Sequence, residues 1–178
     1  MDKNQTPWSV LVAVEDIPET GLHVEIDAPE AIRAQIAALA GLRELACLSA
    51  VFDLARRGAG VRVIGRVNAR VGQTCVVTLE PVESDLEESV DLKFAPLLAQ
   101  SIRSKADTAA LPAAEEEPPE PLSDGKVDLG AIATEFLLLG IDPYPRKAGA
   151  KFSPVQSDDS SAKPFAILEA LKKRLSSG

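Results

Sequence analysis

From Gly60 to Val71 the chain alternates. Val61, Val63, Gly65, Val67, Ala69 and Val71 are apolar or small, Arg62, Arg66, Asn68 and Arg70 fall between them, and Ile64 is the one residue out of step. Side chains of a strand point to opposite faces in turn, so this spelling predicts a strand with one face in a core and a basic stripe on the other, its arginines four apart and thus roughly 13 Å from each other. Gly72 reads as a turn. Cys75, Val77 and Leu79, opposite Thr74, Thr78 and Glu80, then read as the second arm of a hairpin running to Val82.

The same period extends to either side. Leu48, Ala50, Phe52 and Leu54 alternate with Ser49, Val51 and Asp53, and Leu86, Val90, Leu92 and Phe94 alternate with Glu87, Ser89, Asp91 and Lys93. Leu45–Phe94 is therefore expected to be a four-stranded antiparallel meander, covered on one face and wet on the other. Upstream, Trp8, Val10, Val12 and Val14 mark a first strand. Leu22, Val24 and Ile26 mark a second, with His23 and Glu25 facing solvent. Between them and the meander, Pro29–Ala40 has helical spacing through Ile32, Ile36 and Leu39, with proline in the first turn and Gly41 as its stop.

After Ser104 the pattern fades. The stretch Ala106–Gly125 includes Glu115, Glu116, Glu117, Pro118, Pro119, Glu120 and Pro121, with too little to bury to offset the entropy of ordering it. Beyond it Asp128–Ile141 is a strongly apolar helix capped by Asp128, stopped by Asp142-Pro143-Tyr144-Pro145. Gly149–Lys163 reads as mobile. Pro164–Leu175 reads as an amphipathic helix with Phe165, Leu168, Leu171 and Leu175 on one side and its cations at the C-terminal end.

The expected architecture is α+β: an antiparallel meander sheet with helices on one face, a mobile acidic linker and a mobile tail. The expected division is a core of sheet and helix over 1–104, a Pro-rich linker over 105–126, a helix docking on the core over 127–147, and a mobile segment with the amphipathic helix over 148–178.

Charge narrows the function. At 178 residues, 46% hydrophobic but only 4% aromatic, the chain can build an aliphatic core. Its net charge of −8 excludes wholesale binding of nucleic acid, which requires a positive footprint. A local basic patch and an acidic surface for a basic partner both remain open. The polar N-terminus and the lack of a long apolar run point to a soluble, cytoplasmic protein with no membrane partner. Cys47 and Cys75 are expected as buried free thiols, not as a disulfide.

No phosphate-binding loop, dinucleotide fingerprint, zinc-type histidine pair or nucleophile elbow is spelled out, and no catalytic residue, metal, cofactor or small-molecule substrate is expected. The one enzymatic alternative is a hydrolase using His23 with a nearby carboxylate. Arg62, Arg66 and Arg70 admit two readings: pairing across the sheet with Asp53, Glu80 and Asp91, or recognition of RNA phosphate. Phe165, Leu168 and Leu171 likewise either complete the core or form a helix that docks on a partner.

A combination of segments carries a resemblance. The Val/Arg strand is followed by Gln73-Thr74-Cys75-Val76-Val77-Thr78-Leu79-Glu80-Pro81-Val82 and the acidic spacer. Then come Val127-Asp128-Leu129-Gly130, Glu135-Phe136-Leu137-Leu138-Leu139, Asp142-Pro143-Tyr144-Pro145-Arg146 and Pro164-Phe165-Ala166-Ile167-Leu168. From about Gly60 onward the chain resembles the YceD-like family, the large ribosomal RNA subunit accumulation proteins. The resemblance implies a cytoplasmic, non-enzymatic bacterial factor for synthesis, processing or accumulation of large-subunit (23S) ribosomal RNA. Its partner is then that RNA or a basic ribosomal protein. Many such proteins carry a Cys-x-x-Cys pair in this hairpin. Here Cys75 matches the first cysteine and Thr78 stands at the second, so no metal or redox role is expected.

Overall fold

The computed structural model describes residues 6–96, 119–122 and 124–152. In chain order these form β1 (Leu11–Ala13), a 3-10 turn (Val14–Asp16), β2 (Leu22–Asp27), α1 (Glu30–Ala40), β3 (Glu44–Arg57), β4 (Gly60–Thr74), β5 (Pro81–Ala95), β6 (Glu120–Pro121), β7 (Lys126–Asp128) and α2 (Leu129–Gly140). The expectations for residues 105–118 of the linker, for the tail from 153 and for the Pro164–Leu175 helix fall outside the described residues.

The main sheet has the order β2-β3-β4-β5-β6, antiparallel from β2 to β5 with β6 added in parallel at the edge. The fold is α+β, as the alternation and helical periods predict. Within Leu45–Phe94, however, there are three long strands and not four. The stretch Cys75–Glu80 is the connection between β4 and β5. The cause is local. The N–H groups of Val77 and Thr78 point at the Cys75 sulfur, 3.4 Å away, and so do not join a ladder. Two backbone bonds, Leu79 N–H to the Cys75 carbonyl (3.0 Å) and Cys75 N–H to the Glu80 carbonyl (2.8 Å), close the loop.

The inward face of β4 matches its spelling: Val61, Val63, Val67, Ala69 and Val71 are all buried. Gly65 is the small member of this row because Phe52 of β3 lies directly opposite it. A Cβ there would collide with the Phe52 ring and the Val51 carbonyl. Phe52 itself has no exposure and shares one apolar cluster with Ile36 of α1 and with Leu129, Ile132 and Leu137 of α2.

Both helices end as their sequences dictate. Gly41 takes the left-handed conformation (φ 67°) that stops α1, and Asp128 accepts the N–H groups of Gly130 and Ala131, each at 3.1 Å, at the start of α2. Asp128 also accepts from the Val10 N–H (2.8 Å) and the Ser9 hydroxyl (2.6 Å), which fastens the N-terminal segment to α2.

One pairing is set by tertiary contact alone, and one further expectation is corrected. β1 does not join the main sheet: it pairs with β7, Leu11 lying opposite Asp128, so strands from both sides of the linker make a small sheet of their own. The end of the presumed linker is built in as well. Glu120 and Pro121 pair with Phe94 and Ala95, Leu122 is buried, and the Gly125 carbonyl accepts the Val14 N–H. Leu122, together with the edge of β5, anchors residues whose composition offers little to bury.

Candidate functional site

The outward face of β4 carries Arg62, Arg66 and Arg70 as predicted, and β5 places a carboxylate against each. Arg62 donates through Nε and Nη2 to both oxygens of Asp91 (2.9 and 2.7 Å). Arg70 donates through Nε to Asp85 (2.7 Å), and Arg66 Nη1 lies 3.3 Å from Glu87. The register explains the pairing. Asp85 is directly opposite Arg70, whereas Arg62 and Arg66 face Lys93 and Ser89 and reach diagonally to the next carboxylate. The arginine hydrogen bonds hold the Asp85 and Asp91 carboxyls below their usual range. Of the three partners expected from the sequence, Asp91 is in place, but Asp53 is bonded to His23 and Glu80 to Lys147.

His23 is exposed on β2, as expected. Its Nδ1 lies 2.7 Å from Asp53 and its Nε2 3.4 Å from Glu25, at one side of an open groove of about 320 Å3. A hydrolytic relay needs one ring nitrogen on a carboxylate and the other on a nucleophile. Here both face carboxylates, Asp53 first and then Glu25, which raises the histidine pKa and favours the imidazolium over a base.

Both cysteines are free thiols, as expected, but only Cys75 has the expected burial. Cys75 is fully buried, whereas Cys47 is exposed. A bulge between Leu45 and Cys47 shifts the register, so Leu45 keeps its place in the core while Cys47 turns outward opposite Arg70. Cys75 Sγ receives the N–H groups of Lys147 (3.3 Å), Val77 and Thr78 (both 3.4 Å). The Lys147 N–H first, then the Thr78 hydroxyl and N–H, pull the thiol down to about 6, against the opposing effect of burial.

Lys147 belongs to the segment that follows α2, residues 142–152, which crosses the end of the β4–β5 hairpin like a strap. The Val76 N–H donates to the Pro145 carbonyl (2.9 Å), Gln73 Nε2 donates to the Asp142 carbonyl (2.8 Å), and Lys147 Nζ bonds Glu80 (2.9 Å). Pro145 is buried beneath it, while Tyr144 and Phe152 stand out at 71% and 78% exposure. In the sequence Asp142–Lys147 reads as a helix stop and as one segment of the family resemblance, and not as a surface. The available signal was its composition: between Pro143 and Phe152 there are two aromatics, three cations and no acid.

The strap therefore joins the hairpin end, and the arginine stripe lies along the hairpin's outward face. Phe165, Leu168 and Leu171 fall outside the described residues. Among the described residues no three His, Cys, Asp or Glu side chains come together to hold a metal ion, and Cys75 Sγ is ringed by N–H donors, not by further ligands. No helix among them is long and apolar enough to cross a membrane.

A family model described as large ribosomal RNA subunit accumulation protein YceD matches residues 63–172, more than half of the chain, from β4 through β5 and α2 to beyond the strap. Neither a curated protein nor a solved structure matches.

Proposed function

The chain belongs to the YceD family, and we propose that it is a non-enzymatic bacterial factor that supports synthesis, processing or accumulation of large-subunit (23S) ribosomal RNA in the cytoplasm by binding that RNA. The observation that carries this reading is the family match itself, which takes in β4, β5, α2 and the strap together. Depleting the protein is expected to lower mature large-subunit RNA relative to small-subunit RNA, and the tagged protein should travel with large-subunit precursors on a sucrose gradient. An unchanged RNA ratio on depletion would overturn it.

The outward sheet face favours a second reading. There the carboxylates of Glu25, Asp27 and Asp53 on β2 and β3, and of Glu83, Asp85, Glu87 and Asp91 on β5, outnumber Arg62, Arg66, Arg70 and Lys93. Such a face suits an acidic adaptor for a basic ribosomal protein, bound there or at the C-terminal helix without contact to RNA. Capture of ribosomal proteins that persists after nuclease treatment supports the adaptor; capture lost on nuclease treatment removes it.

A further inference from the structure

We propose that the strap, residues 142–152, is the surface on which this protein binds single-stranded RNA, with Tyr144 and Phe152 as stacking platforms and Arg146 and Lys151 as phosphate contacts. The proposal rests on the RNA-binding reading above and places its contact away from the arginine stripe.

Three observations converge on the strap. Aromatic side chains are scarce, and most are spent on the core: Trp8 and Phe52 are buried, and Phe94 and Phe136 pack against the apolar cluster. The two aromatics most open to solvent among the described residues, Tyr144 and Phe152, are both in this one short segment. Exposing them costs solvation free energy unless a flat apolar partner covers them, and a base is such a partner.

The cations form the second observation. Among the described residues Arg146 and Lys151 are exposed and have no ion-pair partner, in contrast to Arg62, Arg66 and Arg70, whose guanidinium groups already face carboxylates. An RNA phosphate at the strap displaces no protein carboxylate. The nearby acids are themselves engaged: Glu80 is matched by Lys147, and an Asp142 oxygen accepts the Tyr144 N–H at 2.8 Å.

The third observation is that residues 142–147 of the strap are held in shape before any ligand arrives, with a turn after them in which the Ala150 N–H donates to the Lys147 carbonyl (3.0 Å). Pro143 and Pro145 restrict their backbone, and the bonds to Gln73, Cys75, Val76 and Glu80 tie them to the hairpin, so less ordering entropy opposes binding. Exposed aromatics at the two ends of the segment, with exposed cations between them and a turn at Lys147–Ala150, offer stacking and phosphate contacts to the accessible bases of an unpaired strand, which a duplex keeps stacked on one another.

The test is a fluorescence-anisotropy titration of the full chain with a short labelled oligouridylate and with an unpaired fragment of large-subunit RNA. Tyr144→Ala/Phe152→Ala is expected to weaken binding roughly tenfold or more, the loss of base stacking. Arg146→Glu/Lys151→Glu is expected to flatten the salt dependence by about 0.7 per lost phosphate contact. Unchanged melting would show that both variants remain folded. Absence of salt-sensitive binding by the wild type, or variants that bind as the wild type does, overturns the proposal. So does a strap variant that keeps its RNA affinity but loses capture of ribosomal proteins. Complementation separates the two levels: strap variants that restore RNA accumulation in depleted cells sink the strap alone, while depletion without effect sinks the RNA-accumulation reading.

Discussion

The outward face of β4 and the strap each present three cations, and they differ in what already faces them. Arg62, Arg66 and Arg70 meet Asp91, Glu87 and Asp85 within 3.3 Å, so they form part of a ladder that joins β4 to β5. Among the described residues Lys147 is the one strap cation with an ion-pair partner, and it serves to fasten the segment to Glu80. A row of arginines in a sequence is thus no measure of positive potential, because the neighbouring strand decides how much of that charge is left. Exposed aromatics sharpen the contrast: the outward side of β4 has Ile64 alone among large apolar residues, while the strap has Tyr144 and Phe152.

The largest effect on this comparison comes from removing the support the two regions share. Gly65→Val forces a side chain into the Phe52 ring and is expected to cost on the order of 3 kcal/mol, abolishing ladder and strap together. A urea melt checks it; a variant as stable as the wild type would mean that the β3–β4 approach is not as close as described.

Asp128→Ala acts on one region more than the other. It removes the cap of α2 and the ties to Ser9 and Val10, for about 1–2 kcal/mol. Amide exchange should rise in α2 and the strap that follows it before it rises in β4 and β5. Equal rises would show that strap and sheet open as a unit.

A third, smaller effect concerns the anchor of the strap. The Cys75 thiol titrates lower in the folded chain, about 6, than its ordinary 9.0. Its contribution to stability is therefore complete above about pH 9, declines as the pH falls, and is gone below about pH 6. The melting temperature of the wild type should gain on that of Cys75→Ser as the pH is raised from 6 to 9. Parallel curves would show that the sulfur is not held as thiolate.

The smallest effect is expected where the sequence draws most attention. Replacing Arg62, Arg66 and Arg70 together by glutamine should leave RNA affinity within about twofold, since exposed cross-strand pairs are already satisfied and carry little energy. An anisotropy titration that shows a large loss would return the RNA site to the sheet.

Much of the scaffold is legible in the residues, because strand and helix periods report burial directly. The inward row from Val61 to Val71, the stop at Gly41 and the cap at Asp128 all stand where their chemistry puts them. The misreadings share a cause in tertiary partners that no local period encodes. Cys75, Val77 and Leu79 alternate like a strand, yet the sulfur of Cys75 collects the N–H groups that a strand would have offered to a neighbour. The parity of Leu48, Ala50 and Phe52 turns Cys47 outward, against the expectation of a buried thiol; only the bulge lets Leu45 escape that parity. The carboxylate partners of the arginines depended on register, and the strap's aromatics and cations become a surface only once Cys75 and Glu80 hold them in place.

Salt-dependent RNA binding by two variants side by side tests the central claim most directly. With the strap charges reversed (Arg146→Glu/Lys151→Glu) the affinity for the unpaired large-subunit fragment should fall and its salt slope flatten, while the Arg62, Arg66 and Arg70 glutamine variant should follow the wild-type line. The opposite pattern, a flat slope for the stripe variant and an unchanged one for the strap variant, would contradict the account.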